Sequence, residues 1–205
     1  MKSKRYRVLT RRIGELRRHL LPRRFDPTGL YPDRIHERAR AFRLLVHAEF
    51  ESYIEDRVVE VADRSYRSWQ ATRVIRPCLI GLLAFDDAKR ESPTSLLMPP
   101  RQNPAPDLSA RLHRAKNTLT TYARSQNHGV RERNLLKLLL PLGVEEGKID
   151  MTWLASIDSW AAQRGDFAHQ SGTKLTVKAD PRDEYQGVQQ LLIGFADIDE
   201  ILGEL

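Results

Sequence analysis

The stretch RIHERARAFRLLVHAEFESYIEDRVVEVADRSYRSW, residues 34–69, decides the fold class. Ile35, Ala39, Phe42, Val46, Phe50, Tyr53, Ile54, Val58, Val61 and Ala62 recur three and four apart, charged residues fill the other faces, and no proline or glycine interrupts them. At 3.6 residues per turn this spacing gathers one apolar stripe, which predicts a single long amphipathic helix. Beyond it, a break near Trp69–Arg76 leads into PCLIGLLAFDDAKR, residues 77–90. Pro77 suits a first helical turn, where its missing N–H has no partner to lose. ESPTSLLMPPRQNPAPD, residues 91–107, is proline-rich and predicts a loop. Asp107 and Asp150 are placed as N-caps for the helical patterns LSARLHRAKNTLTTYARS and MTWLASIDSWAAQR. Between them NHGVRERNLLKLLLPLG predicts a short apolar helix closed by Pro141 and Gly143. SGTKLTVKADPRDE, residues 171–184, carries the one hint of a strand, and a last helix is expected from about Glu184 to the end. No repeat of solenoid period occurs. The expected architecture is all-α, a bundle of five or six helices.

Charge divides the chain. Ten of the 34 Lys and Arg and one of the 27 acids fall in residues 1–24, so that segment carries +9, while the remaining 24 bases and 26 acids leave −2. The basic character therefore belongs to an N-terminal segment, followed by the turn-rich FDPTGLYPD. The expected division is a basic arm and linker, 1–31, and a helical domain, 32–205. Such an arm attracts phosphate, with strong salt dependence. Lys4, Arg5, Arg11, Arg12, Arg17 and Arg18 are its candidate nucleic-acid contacts. No apolar run approaches the roughly 20 residues of a membrane span, and MKSKRYRVLTRRIGELRRHL lacks the apolar core of a secretory signal. A single cysteine, Cys78, excludes an internal disulfide and, as a small apolar residue, fits a reducing compartment; the expected location is cytoplasmic.

Most catalytic chemistries have no residues to run on. A cysteine-type zinc site needs more than Cys78, and there is no phosphate-binding GxxxxGK[ST] loop, HExxH, EF-hand or GxSxG. No metal or cofactor is expected. The acidic pairs Asp86/Asp87, Glu145/Glu146 and Asp199/Glu200 read as solvated surface, and His36, His47 and His113 as exposed or helix-partnered. His169 differs. It sits in WAAQRGDFAHQSG, residues 160–172, past an apolar-periodic run that ends in Arg164 and Gly165, and it is flanked by Phe167 and Ala168. The Arg-Gly-Asp tripeptide there is too short to carry an adhesion reading in a chain without secretory marks. With 26 arginines and six histidines, spacing alone singles out no Arg–His pair; Arg12/His19 and Arg40/His47 are close rivals, and the context decides.

That context resembles a family. RGDFAH is similar to the R-x4–6-H signature of HEPN domains, RAFRLLVHAEFESYIED resembles the first long helix of the RiboL-PSP-HEPN branch, and NHGVRERNLLKLLLPLGV with KIDMTWLASIDSWAAQRGDFAH resembles the segment leading into its signature. The resemblance covers roughly 32–205. Gly165 stands where the family usually has a polar residue, so Asp166 is the candidate to orient Arg164 or His169. The resemblance implies a metal-independent endoribonuclease in which the RNA 2′-hydroxyl attacks the adjacent phosphorus. His169 would move protons, its ordinary pKa of about 6.5 lying near working pH. Arg164 would clamp the phosphate with its planar fork. On a continuous helix two positions five apart lie about 140° apart, so a loosened turn at Gly165 is one way to bring them together. In the family, two such motifs meet across a two-fold axis, which implies a homodimer with a composite cleft.

Glu51, with Glu49 second, is the supporting acid expected to approach the arginine from the long helix, and Asn127 and His128 are expected to border the RNA cleft. The implied setting is a toxin–antitoxin or anti-phage system, with an antitoxin or defence partner. Two alternatives stand beside this reading. One is a non-catalytic HEPN scaffold that binds RNA or a partner, which Gly165 favours. The other is a DNA-binding regulator using the basic arm, which predicts dependence on residues 1–24 and indifference to His169.

Overall fold

The computed structural model describes residues 1–86, 107–169 and 178–205, with 164–169 described as backbone. Seven α-helices lie among these residues: α1 (Lys4–Leu20), α2 (Asp33–Thr72), α3 (Pro77–Ala84), α4 (Leu108–Thr121), α5 (Glu132–Leu139), α6 (Met151–His169) and α7 (Pro181–Glu204). A π-helical turn, Tyr122–Gln126, follows α4, and 3-10 turns occupy Leu140–Leu142 and Glu146–Lys148. No strand occurs among the described residues; 170–177, most of the segment with the strand hint, lies outside them, as do 87–106 of the expected loop. The bundle is thus all-α as expected, with more helices than five or six.

The long helix forms the spine. At 1.5 Å per residue, α2 runs about 60 Å. Every other helix packs on it. Its stripe is buried from Ala39 through Phe42, Val46, Phe50, Ile54, Val58 and Val61 to Ala62. The same stripe also buries Arg43, His47 and Arg57. The caps hold as read: Asp107 Oδ1 accepts from the Ala110 amide at 2.7 Å, and Asp150 Oδ1 accepts from the Thr152 and Trp153 amides. Pro77 opens α3. The last helix starts three residues before Glu184, because Asp180 caps it, accepting from the Arg182 and Asp183 amides, and Pro181 supplies a ready first turn.

Two expectations are corrected here. The N-terminal segment is no free arm: α1 buries Leu9, Ile13 and Leu16, with Leu21 behind them, in the common core. Ser3 caps it, and it runs antiparallel to α2, with Arg5 on Asp56 and Glu60, Arg12 on Glu49, and the Arg38 guanidinium on the His19 carbonyl. Its apolar residues recur at i, i+4 and i+7, so burying one face repays the ordering of the chain. Nor does α6 stop at Arg164–Gly165; it continues through both to His169. A glycine within a helix costs only about 1 kcal/mol relative to alanine, less than packing along the rest of the helix returns.

α6 and α7 meet over glycines. Trp153 Nε1 donates to the Leu191 carbonyl at 3.0 Å, and the indole lies flat on Gly194: a Cβ there would sit 2.2 Å from Trp153 Cδ1 and 2.3 Å from Cγ and Nε1. Gly194→Ala is therefore expected to lower stability by about 1–3 kcal/mol through overpacking, read as a lower urea midpoint with unchanged m-value. An unchanged midpoint would show that the two helices part without cost.

Candidate functional site

The site is built where α2, α6 and the first turn of α7 converge. Arg43 and His47, one turn apart on α2, both face Trp160 of α6. The His47 ring stacks on the indole at 5.9 Å and 13°, and the Arg43 guanidinium lies 5.2 Å from the ring centroid. Phe50 meets the same indole edge-on. Arg43 Nη1 reaches Glu184 Oε1 at 3.1 Å, so α7 is tied to α2 by an ion pair with both side chains buried. These contacts set the direction of α6. Trp153 packs by Leu191 and Phe195, Trp160 by Gly187, and Glu184 by Arg43. The chain beyond Trp160 thus advances toward the start of α7 and the N-terminal half of α2. Its last two turns carry Arg164 and His169.

Glu184 is electrostatically unusual. Burial pushes its carboxyl up to about 7 against the pull of Arg43, and Asp183 and Asp180 add to the rise. Its Oε2 is buried without a hydrogen-bond partner, which is the physical root of the shift: a charged oxygen there has no donor. A carboxyl whose native pKa lies above its unfolded value stabilises the fold fully below that unfolded value and loses the contribution as pH rises through the native one. Native stability is therefore expected to fall by up to about 3 kcal/mol between pH 4.5 and 7 on this account. Glu184→Gln should flatten that slope in denaturant titrations; an identical slope in the variant would assign it to another group.

The predicted site residues are distributed as follows. The backbone of Arg164, Asp166 and His169 is helical within α6, and their side chains lie outside the described residues. Asp158, the local acid that could have occupied Arg164, is taken: Arg131 forks onto it at 3.0 and 2.9 Å, and the Glu132 amide adds a third bond. That pairing holds the Asp158 carboxyl below its ordinary range. Glu51 is half-buried, 3.7 Å from His47 Nδ1. Glu49 is engaged by Arg12. Asn127 is buried with both amide protons in use, donating to Glu55 Oε1 at 2.7 Å and the Gly129 carbonyl at 3.1 Å, while its oxygen accepts from Asn134. It knots α2, the π-turn and α5 together, and His128 beside it is exposed.

Of the basic candidates, Arg5 and Arg12 are held by acids on α2, and Arg17 donates to the Arg23 carbonyl and lies over Phe25 and Tyr185. Lys4, Arg11 and Arg18 are exposed, as is Arg7, which the sequence reading passed over.

Sequence reasoning missed Arg43 and Glu184, and of the two roles it left open for His47, exposed or helix-partnered, the structure shows the second: the ring is buried against Trp160. Arg43 and His47 continue the spacing of the α2 stripe, a signal that charge obscured. Asp199 was read as solvated and is buried, accepting from Tyr53, Arg57, and the Ser3 hydroxyl and amide. Cys78 is buried, its thiol pushed up to about 11 by burial. Among the described residues no group of three or more His, Cys, Asp or Glu gathers at metal-binding range, and no helix is long and apolar enough to cross a membrane.

The bundle is built on one long helix, and the RGDFAH hexapeptide lies on the last turns of the penultimate one. Residues 8–201 match the family model of RiboL-PSP-HEPN, and the chain belongs to that family. No curated protein and no solved structure matches it. The match starts within α1, so the helix expected to lie outside the resemblance is largely part of it. HEPN domains are often ribonucleases, and they commonly bind RNA and dimerise.

Proposed function

We propose that the protein is a metal-independent endoribonuclease in which Arg164 and His169 form the reacting pair. The observation that carries this is the position of RGDFAH on the last turns of α6, inside the matched residues 8–201. The ribose 2′-oxygen attacks the adjacent phosphorus as its proton passes to a histidine. The phosphorane charge is held by the arginine fork, the P–O5′ bond breaks, and the 5′-oxygen takes up a proton. The products are a 2′,3′-cyclic phosphate and a 5′-hydroxyl.

The continuity of α6 bears on how the pair is assembled. Positions five apart on a helix are about 140° apart around its axis and about 7.5 Å along it. One copy of α6 thus carries the two positions on different sides of its axis. Two copies related by a two-fold axis offer two of each to one cleft, with one histidine as base and the other as acid. This supports a homodimer as the working form. Asp166 is the residue proposed to orient the pair in place of the polar residue that Gly165 does not supply. A toxin or anti-phage effector, neutralised or triggered by a partner, is the setting in which such cleavage fits.

The test is incubation of the purified protein with total cellular RNA in EDTA. Cleavage leaving 2′,3′-cyclic ends is the expected result. Intact RNA across pH 5–9, from a protein that still retains RNA on a filter, would replace the enzyme with a non-catalytic RNA-binding scaffold, the reading that Gly165 favours.

A further inference from the structure

α1 sorts its cations by face. At 100° per residue, Lys4, Arg7, Arg11 and Arg18 fall within about 60° of arc, opposite the buried Leu9, Ile13 and Leu16. All four are exposed, and no described residue accepts a hydrogen bond or an ion pair from the side chain of any of them. The arginines of the other faces are spent inside the molecule: Arg5 on Asp56 and Glu60, Arg12 on Glu15 and Glu49, and Arg17 on Phe25 and Tyr185. A merely solvated helix face gains from opposite charges at i+3 and i+4, whereas like charges at those spacings cost a few tenths of a kcal/mol each. Here Lys4/Arg7 and Arg7/Arg11 are such like-charge pairs, Arg18 continues their line two turns on, and Glu15, the acid four residues after Arg11, is paired with Arg12; the four cations span about 21 Å of helix.

We infer that this outward face of α1 is a track for the phosphate backbone of RNA, feeding the end of the bundle where α6 terminates. The inference rests on the RNA reading above and adds where the strand lies. A polyanion relieves the repulsion among the four cations and releases its own counterions. Direction follows from topology. α1 runs antiparallel to α2, bringing Arg18 beside the start of α2, where Arg38 meets the His19 carbonyl. α6 also runs antiparallel to α2, since Trp160 packs on His47 and the chain then advances toward Glu184. The C-terminal ends of α1 and α6 therefore share one end of the bundle, and Arg23 and Arg24, both exposed, extend the basic run there. An anionic membrane is the poorer occupant, because an interfacial helix needs an apolar face for lipid, and that of α1 is buried in the core.

The test uses the full chain carrying His169→Ala, so that binding is read without cleavage, and a fluorescent single-stranded RNA titrated from 50 to 300 mM salt. In that background Arg7→Gln/Arg11→Gln/Arg18→Gln is compared with Arg67→Gln/Arg76→Gln/Lys148→Gln, an equal charge loss at exposed positions elsewhere. Each phosphate contact contributes about 0.7 to the slope of log K against log salt. The α1 triple variant is expected to flatten the slope by about 2 and to weaken binding at least tenfold at the lowest salt, with the control triple within twofold of the parent. Equal loss in both triples, or none in the α1 triple, overturns the track, as does engagement of duplex DNA alone through these residues. Cleavage by the wild-type chain with an unaltered α1 triple would sink the track and spare the nuclease. Loss of binding in the α1 triple with no cleavage by the wild-type chain would do the reverse.

Discussion

Alanine in place of His169 is expected to slow RNA cleavage by a factor of about a hundred to ten thousand, the range that a positioned acid or base contributes. Arg164→Ala should lose about a hundred- to a thousandfold, as removal of one preorganised donor to a developing oxyanion does. Arg164→Lys, which keeps the charge and loses the planar fork, should recover part of that loss. The deficit should fall on kcat more than on KM, because both groups act on charge that develops in the transition state. Alanine is a better helix former than either residue, and both positions lie within α6, so thermal unfolding should stay within a degree or two of the parent. The pH profile carries the signature: cleavage that depends on one neutral and one protonated histidine is bell-shaped about neutrality. A His169→Ala protein that cuts RNA at the parental rate would assign the chemistry to another residue and end the Arg164/His169 reading.

Asp199→Ala is expected to be the most damaging change to the fold. The Asp199 carboxylate is buried, with Arg57 Nε at 3.0 Å, the Tyr53 hydroxyl at 2.9 Å, and the Ser3 amide and hydroxyl at 2.6 Å each. Truncation leaves the Arg57 guanidinium with Glu60 at 3.7 Å as its remaining acid. A buried charge stripped of its partner costs about 3–5 kcal/mol, a large part of the stability of a domain this size. It also unlatches residues 1–3 from α7, although Lys2 still reaches Glu200 and the Ala196 carbonyl. Burial alone would raise the Asp199 carboxyl, but the Ser3, Tyr53 and Arg57 donors outweigh it and hold the group below its ordinary value. A carboxylate with a depressed native pKa stabilises the fold above its unfolded pKa of about 4 and loses that contribution as pH falls through the native value. Asp199→Asn should thus unfold at lower denaturant at pH 7 and show a smaller additional loss below pH 4. Equal midpoints for parent and Asp199→Ala at pH 7 would mean that the network adds nothing net to the folded state.

Legibility followed the range of the interactions. Features that depend on a few neighbouring residues could be read directly: the α2 stripe from Ala39 to Ala62, the caps at Asp107 and Asp150, and Pro77 in the first turn of α3. Leu9, Ile13 and Leu16 had the same helical spacing, yet ten cations in 24 residues drew the reading toward a solvated arm. The helix-breaking reading of Gly165 failed because a local preference of about 1 kcal/mol yields to packing along the remainder of a 19-residue helix.

By itself the sequence determined that the chain is helical, which helix is longest, where most helices start, and which hexapeptide resembles a nuclease signature, since each follows from periodicity, capping or local motif. Tertiary structure alone decided which charges are buried. Arg43 finds Glu184 141 residues away, Asn127 finds Glu55 72 residues away, and Asp199 finds Ser3 196 residues away. A charged side chain is tolerable in the core only opposite a partner, and the position of that partner is a property of the packed helices, not of the residues on either side.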